Sequence, residues 1–67
     1  MYIEPVKKAV SLLGSQAKLA EKISLTQGAV SKWVLGKSSP TGENARAIEI
    51  ATGGLVTRQE LRPDIFN

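Results

Sequence analysis

The sequence predicts an all-α fold, a compact bundle of about five short helices joined by tight turns, on three observations. Apolar residues recur at helical spacing along most of the chain. Serine or threonine stands ahead of these stretches and glycine behind them, as helix caps require. Third, the stretch from Gln16 to Leu35, QAKLAEKISLTQGAVSKWVL, carries the spacing of a helix-turn-helix, two short helices crossing at a steep fixed angle.

The first helix is expected over residues 5–13. Pro5 suits a first helical position, Glu4 favours the positive end of the helix dipole and Gly14 closes the last turn. Val6, Ala9, Val10 and Leu13 share one face, with Lys7, Lys8 and Ser11 pointing away. Ser15 caps a second helix over 16–22, although Lys18 stands where a capping box places Glu or Gln. Ile23-Ser24-Leu25 forms a turn, and Thr26 caps a third helix over 27–35, ended by Gly36. Gly28 lies inside that helix, where glycine costs up to ~1 kcal/mol relative to alanine. Either a side chain would obstruct a partner there, or the helix simply tolerates a glycine near its start.

After the loop Lys37-Ser38-Ser39, Ser39 and Pro40 read as cap and first residue of a fourth helix over 40–51, ended by Gly53-Gly54. Its apolar stripe is Ala45, Ile48 and Ala51, with Ala47 and Ile50 beside it. Thr57-Arg58-Gln59-Glu60 has the S/T-x-x-E form of a capping box and predicts a short fifth helix, limited by Pro63. The alternative is an α+β fold with a C-terminal hairpin, residues 48–52 and 55–57 pairing across Gly53-Gly54. Good helix formers in residues 40–50 and the Thr57 box favour the all-helical form.

Sixty-seven residues make one small domain, residues 1–67, with a modest core. No cysteine is present, so neither disulfides nor a thiolate zinc site brace it. No apolar run approaches the ~20 residues that span a bilayer, and Met1-Tyr2-Ile3-Glu4 does not read as a signal peptide. The expected reading is a soluble, intracellular protein.

The net charge is +3. Lys18, Lys22, Lys32 and Lys37 stand against Glu21 alone within residues 16–37. Elsewhere Lys7, Lys8, Arg46, Arg58 and Arg62 balance Glu4, Glu43, Glu49, Glu60 and Asp64. The formal excess therefore falls within the helix-turn-helix stretch, where it would serve phosphate neutralisation, or equally form a solvated lysine face. An enzyme is not expected: there is no His or Cys, and the carboxylates are scattered among basic residues.

A helix-turn-helix needs a small residue where its helices touch, which Ala20 provides. Its inner faces must be apolar, and Leu19, Ile23, Leu25, Val30 and Trp33 supply that, with Trp33 read as core by its spacing from Val30. Gln16-Ala17-Lys18-Leu19-Ala20-Glu21-Lys22 and Thr26-Gln27-Gly28-Ala29-Val30-Ser31-Lys32-Trp33 resemble the helix-turn-helix of lambdoid phage repressors and Cro proteins. Ala47-Ile48-Glu49-Ile50-Ala51-Thr52-Gly53-Gly54 and Glu60-Leu61-Arg62-Pro63-Asp64-Ile65-Phe66 resemble prophage Cro-like repressors of the YdaS type. The likeness covers nearly all of residues 13–66. It departs at the turn, where such proteins usually place a glycine in left-handed conformation and this chain has Ser24.

The resemblance implies a lambda repressor-like fold and a Cro-type transcriptional repressor that binds a short palindromic operator in double-stranded DNA. Gln27, at the start of the recognition helix, is the leading base reader, since its amide can bond an adenine edge twice. Gly28, Ser31 and Lys32 would face the same groove, Lys32 reaching guanine or a phosphate; Ala29 would touch a thymine methyl or pack. Gln16, Thr26, Lys37 and Ser38 would meet the DNA backbone, with Lys18 a weaker candidate. One recognition helix has a small footprint, so a weak homodimer that tightens on DNA is expected. Its interface would use Ile50, Leu55, Val56, Leu61, Ile65 and Phe66, unless these close the monomer core; Tyr2 could serve either end. No cofactor, metal or small-molecule ligand is implied. The competing reading is an antitoxin or protein-interaction module of the YdaS type with secondary DNA binding. An activator would need an acidic patch, for which Glu21 and Glu49 are sparse.

Overall fold

The computed structural model describes residues 3–66; Tyr2 lies outside them. Among these residues every regular element is helical: α1 (Ile3–Leu13), α2 (Gln16–Lys22), α3 (Gln27–Val34), α4 (Gly42–Ala51) and α5 (Arg58–Leu61). α1 begins at Ile3 instead of Pro5. The first backbone N–H groups of a helix have no intrahelical partner, so a proline in the first turn loses no hydrogen bond.

α2 and α3 pack on one another, α1 lies against both, and α4 reaches α2 and α5. One core results, built from Val6 and Ala9 of α1, Leu19 and Ala20 of α2, Val30 and Trp33 of α3, and Ala45 and Ile48 of α4. Val56 and Leu61 complete it from the C-terminal side. Trp33 is 5% exposed and belongs to the interior, as its spacing implied.

Three helices end in the same way. The N–H two residues past the cap returns to a carbonyl in the last turn, and the intervening residue takes a left-handed conformation. For α3 these bonds are Lys37 N–H to Lys32 at 2.9 Å and Gly36 N–H to Trp33 at 3.1 Å. For α4 they are Gly54 N–H to Glu49 at 2.9 Å and Gly53 N–H to Ile50 at 3.1 Å. For α2 they are Leu25 N–H to Ala20 at 2.8 Å and Ser24 N–H to Glu21 at 3.2 Å. Gly36 and Gly53 hold φ of 76° and 64° without a Cβ to clash, whereas Ser24 holds φ 61° with one. The helix-turn-helix corner thus keeps its geometry on a strained residue.

The C-terminal third corrects two expectations. α4 starts at Gly42 behind a Thr41 cap, whose hydroxyl accepts the Asn44 N–H at 3.2 Å; it does not start at Pro40 behind Ser39. Pro40 is buried, and its carbonyl accepts an N–H from Arg62 Nη1 at 2.7 Å, which fixes the chain as an approach to the helix. The hairpin alternative also falls. Residues 48–51 complete α4, and the turn after it is held by Thr52, which is buried. Its hydroxyl donates to the Ile48 carbonyl at 3.0 Å and accepts the Val56 N–H at 3.1 Å. That bond returns Val56 to the core as a turn residue.

Candidate nucleic-acid interface

The expected recognition unit is positioned by its caps. Ser15 accepts the Lys18 N–H at 3.0 Å to start α2, and Thr26 accepts the Ala29 N–H at 3.3 Å to start α3. Val30 and Trp33 anchor the inner face of α3, while Ala29 and Val34 are half-buried against the core. The opposite face is thereby turned to solvent: Gln27, Gly28 and Lys32 are exposed and Ser31 half-buried between them. Thr26 stands exposed at the start of this face, and Lys37 and Ser38 are exposed just beyond its end. Gln16 is half-buried at the first position of α2. The structure therefore gathers Thr26, Gln27, Gly28, Ser31 and Lys32 on one helix, with Lys37 and Ser38 following.

Chemically, that face is unengaged. The side chains of Gln16, Gln27, Ser31, Lys32, Lys37 and Ser38 make no hydrogen bond or ion pair with any described residue. Gly28 is not demanded by the fold, because a Cβ there would meet only the Thr26 hydroxyl oxygen, at an ordinary 3.8 Å. An amide, a hydroxyl, an ammonium group and a bare backbone segment on one outward face form a set suited to base edges and phosphates.

The lysines of α2 lie elsewhere. Lys18, Glu21 and Lys22 line a shallow groove with Leu12 and Leu13 of α1 and Ala51 of α4. Lys18 folds back over Gly14, where a Cβ would stand 3.3 Å from its Cδ and 3.6 Å from its Nζ. α1 has no basic residue in its own last turn, so Lys18 supplies the cation that its negative end favours. The charge excess seen in residues 16–37 is thus divided between two surfaces, and Lys32 and Lys37 are the cations associated with α3.

The residues expected at a self-contact separate into two groups. Ile50, Leu55 and Ile65 are 80%, 60% and 48% exposed. Val56 and Leu61 are 0% and 1% exposed and leave that interface. Burying a side chain of this kind stabilises by about 1.5–3 kcal/mol, which would be lost if it turned outward to a partner. Phe66 is half-buried, packs against the core and Gly42, and carries the Arg46 and Arg58 guanidinium groups at 5.3 and 5.4 Å from its ring centre. Two exposed leucines were not foreseen, Leu12 on α1 and, at the end of α3, Leu35. The i, i+7 relation of Leu35 to Gly28 was the available signal.

The remaining polar groups hold the tail. Glu49 accepts the Arg58 N–H at 3.0 Å, and Thr57 and Glu60 form the expected capping box. The backbone hydrogen bond from Thr57 lowers the Glu60 carboxyl below its ordinary value. Arg62 clasps Asp64 through two N–H groups at 2.9 and 2.7 Å, holding the Asp64 carboxyl low as well.

These features can be set beside known proteins. A family model described as "Bacterial toxin YdaS" matches residues 6–67. The chain belongs to the YdaS family. A YdaS relative from Escherichia coli (strain K12), "Putative transcriptional regulator YdaS", is 37% identical over 59 residues, covering 88% of this chain. The chain spans 60% of the length of that YdaS protein. No solved structure matches it. Among the described residues, no helix is long and apolar enough to cross a membrane.

Proposed function

We propose that this YdaS-family chain is a transcriptional repressor of Cro type, prophage-encoded and acting on the bacterial nucleoid, that binds double-stranded DNA through the outer face of α3. The observation that carries this reading is the row of unengaged polar side chains on that face, opposite the core contacts of Val30 and Trp33. Gln27, Gly28, Ser31 and Lys32 contact bases in the major groove. Gln16, Thr26, Lys37 and Ser38 contact the sugar-phosphate backbone and fix register. The name of the Escherichia coli relative supports a regulatory role. Residues 1–67 act as one domain that needs no cofactor or small-molecule ligand and performs no chemistry.

Two copies on one inverted repeat enlarge the footprint that a single α3 offers. We assign their weak contact to Ile50, Leu55 and Ile65, with Phe66 at its edge. The dimer tightens on DNA because both copies are then held in register.

The test is selection of bound sites from random duplex DNA, repeated with Gln27→Ala and Lys37→Ala. The wild type is expected to return an inverted repeat. Gln27→Ala relaxes the preference at one or two positions, in line with the ~1–3 kcal/mol that a bidentate base contact contributes. Lys37→Ala weakens all duplexes alike and reduces the salt dependence by about one phosphate contact. The second reading is an antitoxin or protein-interaction module with secondary DNA binding. The family description "Bacterial toxin YdaS" fits the protein-interaction side of that reading in part. Failure to select any site at moderate salt would reject the repressor and leave that module.

A further inference from the structure

We infer that Leu35 is a specificity-determining residue of the α3 face, reading the 5-methyl group of a thymine. This rests on the reading that α3 enters the major groove. A single exposed leucine means nothing by itself on a protein surface. The place of this one in the helical repeat is what matters. Leu35 caps α3 with φ −80° and ψ −5°, so it continues the turn of the helix. Residues at i, i+3, i+4 and i+7 share one face of a helix. Gly28, Ser31, Lys32 and Leu35 have that spacing, and it is the spacing by which a homeodomain recognition helix presents its base-contacting residues.

Burial agrees with the phase. Val30 and Trp33 are buried and Ala29 and Val34 pack on the core, while Leu35 is 63% exposed. Ala29, a possible methyl contact from sequence, is therefore turned inward, and Leu35 is the large apolar group on the outer stripe. Every other side chain of that stripe is polar, or absent at Gly28. Thymine alone offers an apolar group on the major-groove edge of a base pair. An isobutyl group that stands in sequence between Lys32, assigned to a base, and Lys37, assigned to a phosphate, has that methyl as its matching surface.

The experiment uses the selected duplex with each thymine replaced singly by deoxyuridine, which removes only the 5-methyl group. The wild-type chain is expected to lose roughly fourfold in affinity at one thymine of each half-site, the size of one buried CH₂. Leu35→Ala, checked by circular dichroism to be folded, is expected to bind thymine and deoxyuridine equally there and to keep every other preference. A half-site with no methyl-sensitive thymine overturns the inference. So does a Leu35→Ala chain that still discriminates between the two bases. Either result leaves the α3 reading standing, because a site was selected; selection of no site removes both.

Discussion

The outer face of α3 and the hydrogen-bonded network that joins α4 to α5 handle their polar side chains in opposite ways. On α3 and the loop after it, Gln27, Ser31, Lys32, Lys37 and Ser38 bond to nothing within the described residues. From α4 onward, Glu49, Thr52, Thr57, Arg58, Glu60, Arg62 and Asp64 bond to one another or to nearby backbone. A polar group already bonded inside the chain has little left to offer a ligand, and an unbonded one on an outward face has all of it. The difference separates the face that we propose meets DNA from a framework that holds α4 and α5 in place. Both are polar in sequence, so composition alone does not distinguish them.

Substitutions can break or sharpen that contrast. The largest effect is expected from Leu61→Ala, which should destabilise the chain by about 2–5 kcal/mol as a core deletion does. Chemical denaturation at several protein concentrations checks it. A loss that is independent of concentration confirms a core residue, whereas a weakened dimer of unchanged subunit stability would return Leu61 to the interface. Thr52→Val should follow at about 1–3 kcal/mol, because the Val56 N–H is left buried without its acceptor. Site preference should not change, since the hydrogen bonds of Thr52 stay within residues 48–56; a shifted preference in the selection assay would join the two regions.

On the other side of the comparison, Ser24→Gly should stabilise the fold by about 1 kcal/mol by relieving the left-handed serine. Thermal melting reads the gain directly, and an unchanged or lower midpoint would show that Ser24 carries no strain. The smallest effect concerns acid. The Glu60 carboxyl lies below its ordinary value of 4.5 in the folded chain, so its contribution is present above that pH. It is lost as pH falls through the lowered value. Glu60→Gln keeps a capping acceptor but should flatten the stability profile below pH 4.5. An unaltered acid limb measured by urea titration would contradict this.

What was legible in the sequence follows from how local each determinant is. Ser15, Thr26 and the Thr57 box act within three residues, and each cap formed where the sequence placed it. The left-handed Ser24 followed from the resemblance, since similar proteins place a glycine of that conformation at the turn. The start of α4 was not legible, since Arg62 fixes Pro40 from 22 residues away. Val56 and Leu61 escaped for another reason: a core position and an interface position are both apolar, and only the packed structure tells them apart. The tail Glu60-Leu61-Arg62-Pro63-Asp64, which carries part of the YdaS resemblance, has a physical account. It caps α5, fills the core and ties residue 62 to the approach of α4.

The outer face of α3 is the surface that we propose meets duplex DNA. Amide and side-chain NMR shifts of the chain, titrated with its selected duplex, test this most directly. The largest changes are expected at Gln27, Gly28, Ser31 and Lys32, with smaller ones at Gln16, Thr26, Lys37 and Ser38 and little in α5. Changes centred on the groove of Leu12, Lys18 and Lys22, or on Arg46 and Arg58, with α3 unmoved, would contradict it.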